Sequence, residues 1–311
     1  MTSHRTTTAA ERVYVAPVSF GLGDLVISLP AIQAAIVDAR RRAGEAWLIS
    51  RSPAQSALAE RIAGLSGWIA EDAFDRDGHD GRFVDLRDHP LQRDYWWGSA
   101  EFEEAFGSLS INDVLGRICA DFMLDADFSQ PVPLTAHRRA DLRSSVLLVL
   151  DTDGPTKRWP TDRWATLAAR IRDSGLDVGA VTRDDVTVDL GTTRIDAVAA
   201  STPGEAVDVL SSARAVVGVD TGLTHIAAQQ LTPTVMICRA RPFYFRRWPH
   251  TAVVTGAPCD AACVGAEEEY AYNQRVDLRG FDWQPRHCPA NGHCLEGLQP
   301  HDVMGALEQV L

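Results

Sequence analysis

The stretch that decides the fold is Val216–Pro233, Val-Val-Gly-Val-Asp-Thr-Gly-Leu-Thr-His-Ile-Ala-Ala-Gln-Gln-Leu-Thr-Pro. With Ala215 it opens on a short apolar run, Ala215–Val219, the pattern of a strand buried on both faces of a parallel sheet. The run stops at Asp220-Thr221-Gly222, and the helix-compatible segment Thr224–Leu231 follows at once. Strand, glycine turn and helix in that order put backbone N–H groups and a positive helix end at the carboxyl edge of a sheet, where α/β proteins hold phosphates. Gly222 lets a ligand come close to the backbone, Thr221 offers a hydroxyl, and Asp220 and His225 flank the spot. An ordinary strand–turn–helix with Asp220 and Thr224 as caps fits the same residues.

Upstream, Ser145–Leu150 is the strongest strand signal in the chain, and it leads through the polar loop Asp151–Trp159 into the helix Arg163–Ser174. Val178–Thr182 and Arg194–Ala197 read as short strands and Gly204–Ser212 as a helix. Beyond the opening stretch come the strand Thr234–Cys238 and a closing helix, Val303–Val310. The first half alternates in the same way, with strands at Arg12–Pro17, Ala46–Ser50 and Arg82–Leu86 and helices at Leu25–Arg40, Ser56–Ala63 and Ile111–Leu124. Pro30 places the start of the first regular helix near Ser28, or kinks it there. This alternation predicts parallel sheets with helical crossovers. Ser129–His137, with two prolines, reads as a linker, so the expected units are 1–137 and 138–311.

A chain of 311 residues suffices for two such units, and 45% hydrophobic with 23% charged residues is a globular composition. The formal net charge of −12 argues against nucleic acid and anionic membrane as partners. The polar start Met-Thr-Ser-His-Arg lacks the apolar core of a signal peptide, and no apolar stretch nears the ~20 residues of a membrane span. The expectation is a cytoplasmic protein without a transmembrane segment.

Gly21-Leu22-Gly23-Asp24 approaches a dinucleotide fingerprint, but Val26 stands where a third glycine belongs, and no Gly-x-x-x-x-Gly-Lys phosphate loop exists. A nicotinamide-dependent oxidoreductase is therefore a poorer match. What remains is a carboxylate, Asp24, in a glycine-rich turn after the first strand, suited to general-base work or to capping the next helix. Lys157, in Thr156-Lys157-Arg158-Trp159-Pro160, follows the strongest strand. A cation there, opposite the helix end at Gly222, would neutralise a diphosphate without a metal, unless it is an ordinary solvated lysine. Asp184 or Asp185 is placed to reach a ribose. Arg239, Arg241, Arg246 and Arg247, interleaved with Phe243-Tyr244-Phe245, suit either a phosphate-covering loop or an aromatic mini-core. Tyr95-Trp96-Trp97 suits a sugar platform or packing. Cys259, Cys263, Cys288 and Cys294, with His287 and His293 nearby, are a candidate structural zinc or iron site, the alternative being free or partly oxidised thiols.

Taken together, Gly23-Asp24 with Pro30, Lys157-Arg158-Trp159-Pro160 with Trp164, and Asp220-Thr221-Gly222-x-x-His225-x-Ala227-Ala228 with Pro233 resemble glycosyltransferase family 9, the ADP-heptose heptosyltransferases. Arg247-Trp248 and the cysteines ending in Cys294-Leu295 add to the likeness. The resemblance implies a GT-B fold, two Rossmann-like domains facing across a cleft, with the last helix (about 300–311) a candidate to pack back on the first. It implies an inverting transfer of a sugar, heptose in the first instance, from an ADP-sugar donor, with Asp24 as general base and no catalytic metal or other cofactor. Lys157, Thr156, Asp220, Thr221, Gly222 and His225 fall on the donor side, Gly21 and Gly23 on the acceptor or sugar side. The acceptor is left open among sugar, glycolipid, protein and small molecule. Val18 stands where many members carry a basic residue, which counts against a lipopolysaccharide acceptor. The alternatives are a transferase using another nucleotide-sugar and a non-catalytic nucleotide-sugar-binding protein.

Overall fold

The computed structural model describes residues 11–95, 100–152, 157–184, 187–239, 243–257 and 293–311. The first unit is a four-stranded parallel sheet of β1 (Arg12–Ala16), β2 (Glu45–Ser50), β3 (Gly67–Ala70) and β4 (Arg82–Asp85), in the order β3-β2-β1-β4. Helix α1 (Leu22–Arg41) joins β1 to β2, and α2 (Pro53–Ala59) leads from β2 to β3. After β4 come α3 (Pro90–Arg93), α4 (Ala100–Phe106) and α5 (Ile111–Asp121). β3 escaped the sequence reading because its four residues, Gly-Trp-Ile-Ala, are too few for a period and none is fully buried.

The second unit is a seven-stranded sheet, with β5 (Ser145–Val149), β6 (Asp177–Thr182), β7 (Val188–Asp189), β8 (Arg194–Ala199), β9 (Ala215–Val219), β10 (Thr234–Cys238) and β11 (Thr251–Thr255). Their order is β11-β10-β9-β5-β6-β8-β7, and only β7 runs antiparallel to its neighbour. Helices α6 (Thr161–Asp173), α7 (Pro203–Leu210) and α8 (Gly222–Gln229) cross over between strands. All five residues of β9 are buried, as a central parallel strand covered on both faces requires.

In the first sheet the order reverses between β1 and β4, in the second between β5 and β9. Such switch points open a crevice at the carboxyl ends of the strands. Asp24 follows β1, Lys157 follows β5 and Asp220 follows β9, so the topology brings all three to crevices before any side chain is considered.

Three expectations are corrected. Helix α1 starts at Leu22 and runs through Pro30 without a break. At 20 residues and a mean hydropathy of 1.5 it is long and apolar enough to span a bilayer, against the reading that no stretch is. Its apolar character all round reflects burial, since 67% of its most apolar window is covered by β1, β2, α5 and α8. The closing helix, Pro300–Val310, packs on α6, β10 and β11 of the second unit and not on the first. Val303 and Leu307, both fully buried, join the second unit's core, and Arg163 donates to Gln299 at 2.5 Å.

One of the apolar core clusters spans both units. Val15, Leu25, Leu29 and Leu115 of the first pack in the same cluster as Leu147, Val216, Ile226 and Ala227 of the second. At its edge the Arg61 guanidinium donates twice to Asp208, at 3.0 and 2.9 Å.

Candidate active site

The first turn of α8 meets the first turn of α1. A methyl group placed on Gly23 would lie 3.6 Å from Gly222 Cα, and one on Gly222 would lie 2.9 Å from Gly23 N. Glycine at 222 lets the helix N-termini abut, while a methyl at 23 would make only ordinary contacts. First-turn N–H groups have no intrahelical acceptors, and each helix end carries roughly half a positive charge. Two such ends therefore converge on one place.

Around it stand the predicted side chains. Gly21 N–H donates to Asp24 Oδ2 at 3.0 Å, so Asp24 does satisfy an amide at the start of α1. Burial raises its pKa above the ordinary aspartate value, and Asp220 adds to this. The Gly21 N–H, Lys157 and His225 act against it without cancelling it. A carboxylate lifted in this way is a better proton acceptor than a surface one. The capping bond is therefore compatible with a role as base.

Across the junction the Lys157 ammonium donates to Asp220 Oδ2 at 2.8 Å, and His225 Nε2 lies 3.2 Å from Asp220 Oδ1. Burial alone would raise the Asp220 pKa, but Lys157 and His225 outweigh it and hold the group well below the carboxylate range. Burial alone would lower the Lys157 pKa, and Asp220 reverses that too, leaving it above the ordinary lysine value. Lys157 is therefore a fixed cation, about one third exposed. Neither residue expected as a cap at α8 acts as one in its side chain's main bonds. Asp220 is committed to Lys157 and His225, and the Thr224 hydroxyl donates back to Val219 O at 2.7 Å. Thr221 occupies the N-cap position but makes no side-chain cap bond.

Gly21, Gly23, Asp24, Lys157, Asp220, Thr221, Gly222 and His225 thus lie around one junction. Thr156 and Asp185 lie outside the described residues, as do Trp96, Trp97, Arg241, Cys259, Cys263, His287 and Cys288. Asp184 is exposed on the second unit, its carbonyl accepting from Thr182 Oγ1 at 2.6 Å. Tyr95 packs edge-on against Phe106 at 4.8 Å, as core and not as an open platform. Cys294 is buried, and among the described residues no group of three ligating side chains could hold a metal. The arginine-rich segment divides. Arg247 is exposed, Phe245 packs on His225 at 5.5 Å, and Arg246 is buried and bonds to the first unit.

Two groups were not anticipated. At the carboxyl edge of the first sheet Arg51 donates to Glu71 and Asp85, each at 2.7 Å, and Arg87 donates to the same Glu71 oxygen at 2.7 Å. The Arg51 side chain is 1% exposed, and its Nε has no partner. Arg51 and Asp85 stand at the ends of β2 and β4, and that position was a readable signal. The second group is Ser52 and Gln55 at the start of α2. They hold the loop before Asp24 by donating to Phe20 O at 2.8 Å and to Ser19 O and Gly21 O at 2.8 and 2.9 Å. Only the fold brings them there.

Comparison with known proteins fits this geometry. Residues 120–270 match the family model "Glycosyltransferase family 9 (heptosyltransferase)". Among solved structures the chain is similar to a glycosyl transferase family 9 protein of Veillonella parvula. The TM-score is 0.64 at 14% identity, with 97% of each chain covered. It is similar to the E. coli heptosyltransferase WaaC with ADP, at a TM-score of 0.63 and 13% identity, covering 96% of this chain and 100% of that one. It is also similar to TibC, a bacterial iron-containing dodecameric glycosyltransferase from enterotoxigenic E. coli. There the TM-score is 0.63 at 17% identity, with 97% and 76% covered. No curated protein matches by sequence. The resemblance drawn from the motifs is borne out, and the fold is the two-unit GT-B arrangement.

Proposed function

We propose that the chain is a glycosyltransferase of the family 9 kind, which transfers a heptose from ADP-heptose to an acceptor hydroxyl, inverting the anomeric centre, with Asp24 as general base and no catalytic metal. The observation that carries this is the meeting of the α1 and α8 N-termini, with a raised carboxyl on one and a fixed lysine beside the other. The similar structures lend the donor class. WaaC was solved with ADP and with ADP-2-deoxy-2-fluoro heptose, and TibC with ADP-D-beta-D-heptose.

In this reading the diphosphate lies on the first-turn amides of α8 at Thr221 and Gly222, against Lys157, with Thr156 in the same loop. Asp220 and His225 hold the lysine in place. The acceptor oxygen attacks the anomeric carbon as the bond to the diphosphate oxygen breaks. ADP leaves with that electron pair, and the acceptor proton passes to Asp24. Positive charge fixed in advance where the departing diphosphate develops its charge is worth more than charge recruited from solvent. The acceptor side is the carboxyl edge of the first sheet, between the Gly21–Gly23 turn and the Arg51–Glu71–Asp85–Arg87 cluster. The units divide the work near residue 137, acceptor before it and donor after it.

The test is calorimetric titration with ADP, UDP, GDP, dTDP and NAD, followed by ADP release from ADP-heptose with mixed acceptors. Selective ADP binding with Asp24-dependent ADP release is expected. Tighter binding of another nucleoside diphosphate would overturn the heptose assignment. ADP-heptose binding without turnover, unchanged by Asp24→Asn, would mean a binding protein.

A further inference from the structure

Pro30 lies inside α1 and has no N–H to give to the carbonyl four residues back, so Val26 O loses its helical partner. That carbonyl faces the second unit. Gln229, the last residue of α8 and 2% exposed, donates to it from Nε2 at 3.4 Å. The other end of the same amide accepts the Val132 N–H of the connecting segment at 2.7 Å. The neighbouring carbonyl, Ile27 O, takes an N–H of Arg246 at 2.7 Å. Arg246 is 5% exposed, donates also to Asn112 Oδ1 at 2.8 Å, and lies over the Phe128 ring at 5.7 Å.

These bonds fall just below Asp24 on α1. On α8, Gln229 stands seven residues beyond Gly222, about 10 Å along the helix axis at 1.5 Å per residue. Helices α1 and α8 are thus tied at two points, Gly23 against Gly222 and Val26 against Gln229. The helices also share the apolar cluster of Leu25, Leu29, Ile226 and Ala227, but apolar packing is non-directional. The polar tie adds a directional restraint on the angle at which the proposed base faces the donor side.

We propose that Gln229, backed by Arg246, is a positioning residue for Asp24, acting through the α1 carbonyl that Pro30 leaves open, Val26 O, and its neighbour Ile27 O. This rests on the transferase reading for its catalytic consequence but not for its structural one. A near-attack geometry tolerates little error, and a misplacement of about 1 Å costs on the order of 100-fold in rate.

The experiment uses the full chain with ADP as probe and compares wild type, Gln229→Leu, Pro30→Ala and the double variant. Alanine at position 30 gives Val26 O an N–H within its own helix, so it repairs the orphaned carbonyl without restoring the tie between helices. Gln229→Leu is expected to lower kcat with ADP-heptose about 10- to 100-fold and to leave the ADP Kd within about twofold. It should also quicken amide exchange in the first two turns of α1. In the double variant the melting temperature should recover in part, the Val132 N–H still lacking its acceptor, while kcat and exchange stay perturbed. Recovery of kcat in step with the melting temperature would reduce Gln229 to a structural partner and overturn the proposal, as would wild-type exchange in Gln229→Leu. If the wild-type protein turns over no ADP-sugar, the transferase reading fails, while the exchange data on the ADP complex still decide the tie.

Discussion

Replacing Gly222 by alanine tests the junction most directly. The added methyl would lie 2.9 Å from Gly23 N, 3.0 Å from Leu22 Cβ and 3.1 Å from Leu22 Cγ. The closest of these is backbone and cannot rotate away. Carbon contacts are comfortable at about 3.5 Å and beyond, so the two helix ends must part by roughly 0.6 Å. Overpacking of this kind costs about 1–3 kcal/mol, and each kcal/mol lowers the melting temperature of a unit this size by about 2–4 °C. The same displacement falls between the base and the donor side, so we expect a 10- to 100-fold loss of kcat. Gly23→Ala is the control. Its methyl would meet Gly222 Cα at 3.6 Å, Gly222 N at 3.7 Å and His225 Cδ2 at 3.9 Å, all ordinary contacts. Neither glycine has a positive φ, so the pair differs in space and not in backbone strain. Gly23→Ala should stay within about 0.5 kcal/mol of wild type. Calorimetric melting and ADP-release kinetics on both variants decide the matter. A Gly222→Ala protein that melts and turns over like wild type, or a Gly23→Ala protein that suffers more, would refute the close-approach argument.

Asp24→Asn should reduce turnover by about 100- to 10,000-fold. It should also raise the melting temperature at neutral pH. A folded pKa above the unfolded one means the ionised form costs stability once pH exceeds the unfolded value, and asparagine removes that cost; a fall in melting temperature would contradict it. The acid limb of kcat/KM should lie above the ~3.9 of a free aspartate, because the base is lost as pH falls through its raised pKa. Lys157→Met should move that limb further up, since the lysine lowers the Asp24 pKa, and should weaken ADP binding; a pH–rate profile and titration check both. Asp220→Asn should destabilise above acid pH, with the difference from wild type shrinking as pH falls, because a depressed pKa gives stability only while the carboxylate is ionised. Arg61→Ala should cost about 1.5–3 kcal/mol in urea unfolding by removing two charged hydrogen bonds, with ADP affinity unchanged.

What could be read in the sequence was whatever has a period or a punctuation mark. Buried parallel strands such as Ala215–Val219 announce themselves as apolar runs, and Asp220-Thr221-Gly222 marks where one ends. Asp24, Lys157 and Asp220 were legible because each follows a strand next to a switch point. What escaped depends on distance in space. Gln229 looked like one polar residue at a helix end, and nothing in its neighbours points to a carbonyl 203 positions away. Pro30 by itself suggests a helix start or a kink, since the local sequence gives no sign of a second unit that occupies the carbonyl it frees. The packing of the closing helix on the first unit is an expectation of the resemblance alone, since an amphipathic pattern specifies a buried face but not which surface buries it; here α6, β10 and β11 do. Arg51 lacked any local sign that Asp85, 34 residues on, would hold its guanidinium.

The charges at the junction also reconcile two carboxylates with the diphosphate proposed to bind there. Asp220 is matched by Lys157 and His225, so it holds the lysine in place and adds little repulsion of its own. Asp24 is matched only by helix-end amides and by charges farther off, and its pKa is raised accordingly. The same two helix ends that face the proposed diphosphate steady the Asp24 carboxylate before the donor arrives. A diphosphate drawing on that positive charge would leave the carboxylate less stabilised and therefore more basic. Proton affinity at Asp24 would then rise as the donor seats, when an acceptor hydroxyl is to be deprotonated. An acid limb of kcat lying above that of kcat/KM is the signature of this coupling, because the first reports the donor complex and the second the free enzyme. Coincident limbs would mean that the donor and the base do not share the helix ends.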